Sequence, residues 1–266
     1  MSDAFIGIDV GGTKIASATV RDGKLSESTL HHTELDDQEK LLAQLKEAIE
    51  AERDEDTRAV GIGVPSVVDF ASGRIRSSVN IPLEDVPLRE RLTEEVGLPV
   101  YVDNDATCAA LAEAFEDGKW TCEHLVMFTV GTGVGGGTVL GGRPYRGATG
   151  AAPEVGHTII GLDLTDGAPS DPGDDFPQRG SLEWLASGRA LDRLAAEAAK
   201  EHPDSYLGKR LASEGEVTGV DAVEGAQEDD EPALRCITIL GERLGIGIAN
   251  AINQYDPLEV VIGGGV

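Results

Sequence analysis

Residues 5–20 read Phe5-Ile6-Gly7-Ile8-Asp9-Val10-Gly11-Gly12-Thr13-Lys14-Ile15-Ala16-Ser17-Ala18-Thr19-Val20. Two apolar, β-branched runs, 5–10 and 15–20, flank Gly11-Gly12-Thr13-Lys14, which predicts a strand hairpin closed by a glycine turn. Without a Cβ, glycine lets backbone N–H groups come close to an anion, and consecutive N–H groups form an anion-binding nest. Thr13 adds a hydroxyl donor and Lys14 a positive charge. Asp9 stands just before the turn, where a carboxylate can hold Mg2+ through water. The plain alternative is a hairpin turn with an exposed lysine. Asp9 and Thr13 around the two glycines favour the anion site. No Gly-x-x-x-x-Gly-Lys-Ser/Thr occurs, so the turn is not a Walker A loop.

The pattern recurs. Leu125–Val130 and Gly136–Leu140 predict a second hairpin around Gly131-Thr132-Gly133-Val134-Gly135-Gly136-Gly137, again with backbone donors and a threonine hydroxyl facing one space. Between and after the hairpins, strands are expected at 25–32, 59–64, 100–102 and 260–262. Helices are expected at 38–52 (with Leu41, Leu42, Leu45 and Ile49 on one face), 104–115 and 181–200. The apolar stripe of 181–200 reads Leu182, Leu185, Leu191, Leu194 and Ala198. A last helix runs from Pro232 to about Asn253, with Leu234, Ile237, Leu244, Ile248 and Ile252 inward. Residues 201–230 are acidic and rich in turn formers, which suggests loops and a short helix. Hairpins interleaved with helices indicate an α/β fold. The repeated strand–glycine turn–strand unit suggests two related domains, 1–119 and 120–266, with a seam near Asp117–Thr121.

The chain carries 22 Lys+Arg against 48 Asp+Glu, a formal charge of −26 over 266 residues. Such a field repels polyphosphate and anionic membrane surfaces, so neither nucleic acid nor membrane is an expected partner. No run of about 20 apolar residues marks a spanning helix. No secretory signal is visible at the start, and Cys108, Cys122 and Cys236 form no disulfide framework, which suggests a reducing cytoplasm. The acidic, lysine-poor composition fits a high-salt, halophilic cytoplasm, where a Debye length of about 3 Å at molar salt relieves self-repulsion.

Two further clusters carry chemistry. Val102-Asp103-Asn104-Asp105-Ala106 ends a strand and opens a helix. Asp105 there can accept a proton from a substrate hydroxyl, and Asn104 offers the donor and acceptor that sugar hydroxyls require. Asp103 or Asn104 is also a natural helix cap. Glu154-Val155-Gly156-His157 and Ser181-Leu182-Glu183 supply hydrogen-bond partners suited to vicinal diols.

In order along the chain, Asp9–Lys14, Gly61-Ile62-Gly63-Val64-Pro65, Asn104-Asp105-Ala106, Gly131–Gly137, Glu154–His157, Leu182-Glu183 and Gly263-Gly264-Gly265 make a set that resembles the ROK sugar kinases, within the actin-like ATPase superfamily. The resemblance implies two actin-like, ribonuclease H-like ATPase domains around a central cleft. It implies MgATP-dependent phosphorylation of a hexose, with glucose first and fructose or an N-acetylated hexosamine as alternatives. Gly11, Gly12, Thr13 and Lys14 would bind phosphates, as would Gly131, Thr132 and Gly133 from the other domain. Gly263, Gly264 and Gly265 would lie near the adenosine. Asp105 would be the base, and Asn80, Asn104, Glu154, His157 and Glu183 would hold the sugar. Dimers are common in the family, so a homodimer is an assembly the resemblance implies.

The chain departs from the family in three places. Many members bind structural zinc through a Cys-x-Cys-Gly-x-x-Gly-Cys-x-Glu stretch and the motif histidine. Here Asp174, Phe176 and Ser181 occupy the cysteine positions, so no zinc is expected. Ser66 follows Pro65 where glycine is frequent. The chain ends at Val266, just past the third glycine run, where family members continue with helices, so a truncated chain or an incomplete nucleotide site is expected. Two other readings compete with the kinase. A sugar-sensing regulator of the same family would carry a helix-turn-helix ahead of the phosphate turn, but only eight residues precede Asp9. An actin- or chaperone-type ATPase would have no use for the Glu154–His157 and Glu183 pair.

Overall fold

The computed structural model describes residues 2–116, 118–161, 164–165, 168–169 and 175–266. Asp117, at the expected seam, and Asp174 lie outside them. Two compact units emerge, Met1–Glu123 with Gly137–Pro153, and His124–Gly136 with Glu154–Val266.

In the first unit, β1 (Ala4–Val10) and β2 (Lys14–Arg21) form the expected hairpin, with Val10 opposite Ile15 at the turn. Residues 24–32 make two pieces rather than one strand, β3 (Lys24–Leu25) and β4 (Thr29–His32), both paired with β2. The next elements are α1 (Gln38–Glu52), β5 (Thr57–Val64), the β6 (Ser66–Asp69) and β7 (Arg74–Ser78) hairpin, α2 (Leu88–Val96), β8 (Val100–Asn104) and α3 (Asp105–Ala114). A short pair, β9 (Phe115–Glu116) and β10 (Lys119–Trp120), follows. The main sheet has the order β3-β2-β1-β5-β8, with β5 parallel to both β1 and β8.

Strict alternation in β1 buries Ala4, Ile6, Ile8 and Val10 and turns Asp9 to the other side. Asp37 caps α1 by accepting from the Lys40 N–H, and Leu41, Leu42, Leu45 and Ile49 enter the core. Each of these fully buried side chains contributes roughly 1.5–3 kcal/mol by leaving water.

The second unit begins with β11 (His124–Val130) and β12 (Val134–Leu140). Residues of β12 from Gly137 onward belong to the first unit. A 3-10 turn (Val155–His157) and two short strands, β13 (Leu164–Thr165) and β14 (Ala168–Pro169), come next. The helices are α4 (Leu182–Ala186), α5 (Gly188–Glu201), α6 (Tyr206–Glu214), α7 (Gly219–Gln227) and α8 (Glu231–Tyr255), and β15 (Glu259–Gly264) closes the chain. The sheet order is β12-β11-β15, with β15 parallel to β11. Leu125, Val126, Met127 and Phe128 are consecutive and all buried, as expected of a strand covered on both faces.

Three further expectations change. The helix foreseen over 181–200 breaks at Ser187, which is extended (φ −91°, ψ 174°) and caps α5 by accepting from the Ala190 N–H. Residues 201–230 hold two helices, because their polar residues act as caps. Ser205 caps α6, and Thr218 and Asp221 form a capping box on α7. On α8 the buried seam is made of Ala233, Cys236, Leu240, Gly247 and Ala251, with Ile237, Leu244 and Ile248 half-buried beside it, while Leu234 and Ile252 are exposed. Small residues let the helix approach its neighbours closely: a Cβ on Gly247 would press into the Leu182 side chain. A reading by side-chain size therefore picks the flanks of the seam. Among the described residues no helix is long and apolar enough to cross a membrane.

Candidate functional site

In the first unit the sheet register builds the site. Asp9 on β1 pairs with Gly63 on β5, and Gly63 pairs with Asp103 on β8, so all three stand in one row at the carboxyl ends of parallel strands. Open α/β sheets bind ligands at that edge. Two strand spacings separate Asp9 from Asp103, about 10 Å. Gly63 leaves the middle of the row without a side chain, and a Cβ there would lie 3.4 Å from Asp105 Cα and 3.7 Å from Cys108 Sγ. Asp105 at the start of α3 therefore overhangs the gap.

The three polar residues at the end of β8 and the start of α3 do different work. The Asn104 side chain caps α3 by accepting from the Thr107 N–H at 3.0 Å, and its amide donates to the Ser66 carbonyl at 3.5 Å. The Asp103 carboxylate is buried and receives a two-pronged ion pair from Arg146: Nε lies 2.9 Å and Nη2 2.6 Å from Oδ2. Asp105 accepts the Ala106 N–H at 2.8 Å. Burial, and secondarily the nearby Asp9 charge, push its carboxyl above the usual range, against the pull of that hydrogen bond. Desolvation raises the Asp9 carboxyl too, and Lys14 opposes it. Burial, with Asp103 and Asp105 close by, pushes the Cys108 thiol up to about 12, so it stays protonated at neutral pH.

The first glycine turn closes through Gly11 N–H to the Lys14 carbonyl at 2.9 Å and is braced by Thr33, whose hydroxyl donates to the Gly11 carbonyl at 2.7 Å. Asn80 lies against it, with its Cβ 3.3 Å from where a Gly12 Cβ would stand. Thus Asp9, Gly11–Lys14, Asn80, Asn104 and Asp105 fall in one unit. Ser66 is buried and its hydroxyl bonds that of Ser78 within the β6–β7 hairpin.

The second unit gathers the rest. The Gly131–Gly133 turn closes through Gly131 N–H to the Gly133 carbonyl at 2.9 Å. Glu183, in the first turn of α4, accepts the Val134 N–H at 2.8 Å, and a Cβ on Gly133 would collide with its carboxylate. One Glu183 oxygen is thus committed to the turn. Gly188, at the start of α5, donates to the Gly131 carbonyl at 2.8 Å, so the break at Ser187 aims a helix N-terminus at the turn. Gly264 pairs with Val130 at φ +117°, where a Cβ would strike the Val130 carbonyl, and the Val266 N–H returns to that same carbonyl at 3.3 Å. Gly131–Gly133, Gly188 and the third glycine run therefore converge. His157 Nε2 is 3.7 Å from Glu154 Oε2, and Leu182 N–H donates to the Thr158 carbonyl at 2.9 Å, which ties this turn to α4.

Of the three cysteine positions in the zinc stretch, Phe176 and Ser181 are described, and neither presents a metal ligand. Phe176 offers no donor, and its ring packs on His157 with centroids 4.8 Å apart. The Ser181 hydroxyl caps α4 by accepting from the Trp184 N–H at 3.2 Å. Among the described residues no three His, Cys, Asp or Glu side chains cluster to hold a metal. Sequence reasoning missed Arg146 and Gly188. Arg146 carries no local signal because its partner is 43 positions away, whereas a Ser-Gly pair inside an apolar-periodic run is a signal for Gly188's helix break.

The chain matches the family model described as ROK family over residues 5–266. It is 34% identical to a glucokinase of Halalkalibacterium halodurans, over 100% of this chain and 82% of that protein. It is 37% identical to a putative xylose repressor of a Caldicellulosiruptor species, over 85% of this chain but 55% of the repressor. Its fold matches the crystal structure of a ROK family glucokinase from Streptomyces griseus in complex with glucose and AMPPNP. That match has a TM-score of 0.80 at 32% identity and covers 98% of this chain and 83% of that one. The motifs, the mixed α/β units and these likenesses agree, and the chain belongs to the ROK family, as a sugar kinase of the actin-like ATPase type.

Proposed function

We propose that the protein transfers the γ-phosphoryl group of ATP to the 6-hydroxyl of glucose. Phosphoryl transfer asks a protein mainly for alignment and charge stabilisation. The observation that carries the reading is the row Asp9–Gly63–Asp103 at the sheet edge, with Asp105 overhanging its gap. Asp105 takes the proton of the attacking hydroxyl, and its raised pKa makes it a stronger base than a solvated carboxylate. Asn80, Asn104, Glu154, His157 and Glu183 orient the sugar. Glu183 keeps one oxygen on the second glycine turn, so it links sugar and phosphate binding within the second unit.

Gly11, Gly12, Thr13 and Lys14 bind phosphate oxygens, as do Gly131, Thr132 and Gly133. The N-terminus of α5 beside Gly131 adds its positive dipole end. Gly263, Gly264 and Gly265 flank the adenosine. Asp9, a carboxylate at the strand end with a second acid nearby, suits a hard divalent cation held through water. When bound, Mg2+ would neutralise charge on the phosphates. The reading includes a halophilic cytoplasm as setting and a homodimer as assembly. The −26 charge and, among the described residues, the lack of any disulfide support the setting, while the homodimer rests on the family resemblance alone.

The test is ADP release from MgATP across a panel of glucose, fructose, N-acetylglucosamine and xylose, at low and molar salt. Stimulation by glucose above the others is expected. Preference for an N-acetylated hexosamine or fructose would reassign the substrate. Tight binding of one sugar without turnover would favour a sensor, the role that the repressor relatives make worth testing.

A further inference from the structure

Arg146 lies outside every motif used above, on the segment that follows β12, and it belongs to the same unit as Asp103, Asp105 and Phe70. Its guanidinium grips Asp103 through three contacts, Nε to Oδ1 at 3.1 Å, Nε to Oδ2 at 2.9 Å and Nη2 to Oδ2 at 2.6 Å. Its flat face stacks on Phe70, with Cζ 3.7 Å from the ring centroid. Phe70 is itself faced by Arg89, at 5.8 Å. The segment is pressed onto β6, because a Cβ on Gly150 would collide with the Val68 carbonyl. Arg146 is thus held on both faces of its function: by an aromatic ring behind and by a carboxylate in front.

That carboxylate sits one residue from the cap and two from the base. Asp103 Oδ1 also accepts the Asn104 N–H at 3.0 Å, so the plane in which Arg146 holds it sets the Asn104 backbone, and Asn104 starts α3. A planar fork fixes orientation as well as distance, which an ammonium group cannot do. Three carboxylates, Asp9, Asp103 and Asp105, gather at this edge, and the cation is placed on the one with no chemistry to perform. Among the described residues, Asp103 and Arg146 are each strongly buried for charged groups, with side chains 10% and 21% exposed.

We propose that Arg146 is a positioning residue for phosphoryl transfer: stacked on Phe70 and forked onto Asp103, it sets the β8–α3 turn that carries Asn104 and Asp105. The proposal rests on the kinase reading above. Its mark is a loss in turnover with substrate binding retained, since misplacement of a reacting group by about 1 Å costs on the order of 100-fold.

The experiment is steady-state kinetics of the full chain with glucose and MgATP, with thermal melting of each variant alongside. Arg146→Met should lower kcat by about 10- to 100-fold while both KM values move less than about threefold. Arg146→Lys, which keeps the charge and loses the fork, should recover only part of it. Phe70→Leu, which keeps the ion pair and removes the stack, should lower kcat less. If Arg146→Met fails to melt cooperatively, Phe70→Leu and Arg146→Lys decide. A folded Arg146→Met with parental kcat, full rescue by lysine, or a loss confined to the KM for glucose would overturn the proposal. An unaltered protein that turns over no hexose would instead sink the kinase reading, and this one with it.

Discussion

In the proposed mechanism Asp105 would serve as the base at a cost to stability. Burial and the Asp9 charge raise its pKa in the folded state. A carboxyl raised on folding contributes its stability at pH values below the unfolded pKa, and that contribution is lost as pH rises through the folded pKa. At pH 7 the charged form therefore destabilises the fold. Asp105→Asn should cut kcat by about two to four orders of magnitude and raise the melting temperature at pH 7. The difference in melting temperature should close below about pH 4, near the unfolded pKa. A variant that is fully active, or less stable at pH 7, would remove Asp105 from this role. Gly133 makes a second case. A side chain there meets the Glu183 carboxylate that holds the turn and is placed on the sugar, so Gly133→Val should raise the KM for ATP and the KM for glucose together. These residue types were legible as candidates from their motifs. The sequence left open which of Asp103 and Asn104 caps the helix: Asn104 does, Asp103 takes an arginine, and Asp105 is left at the gap.

Elements were most legible where periodicity was strong. The β1–β2 hairpin follows from alternation about a glycine turn, and α1 occupies the expected 38–52 because its leucines and isoleucine share one face. Leu45 is fully buried there, and Leu45→Ala should cost about 2–5 kcal/mol of unfolding free energy, measured by denaturant titration, with kcat for the folded fraction unchanged. The break at Ser187 is marked in sequence only by the Ser187-Gly188 pair, because the apolar stripe runs through it. Capping by Ser187 and the bond from Gly188 to Gly131 outweigh helix continuity. The seam of α8 was misread for a related reason: helix contact is decided by how closely backbones approach, and Ala233, Gly247 and Ala251 allow that better than larger residues.

At the scale of the molecule, the charge of −26 is a property of surface rather than of fold. Asp and Glu crowd the solvent-facing sides, and most ion pairs, such as Arg91–Glu39 and Arg58–Asp3, are exposed and worth little each. Salt therefore acts mainly by screening repulsion. The melting temperature should rise between about 0.1 and 2 M KCl, over which the Debye length falls from about 10 Å to below 3 Å. A melting temperature that does not change, or falls, over that range would remove the high-salt reading.

The amino-acid order by itself determined the glycine hairpins, the α/β alternation and the family, because these rest on local periodicity and on residue types whose chemistry is short-ranged. The tertiary structure decided which residues meet. Only sheet register sets Asp9, Gly63 and Asp103 in one row, and only packing brings Arg146 to Asp103 and Gly188 to Gly131. Contacts between positions tens of residues apart depend on how whole strands and helices pair, and no local pattern encodes that pairing.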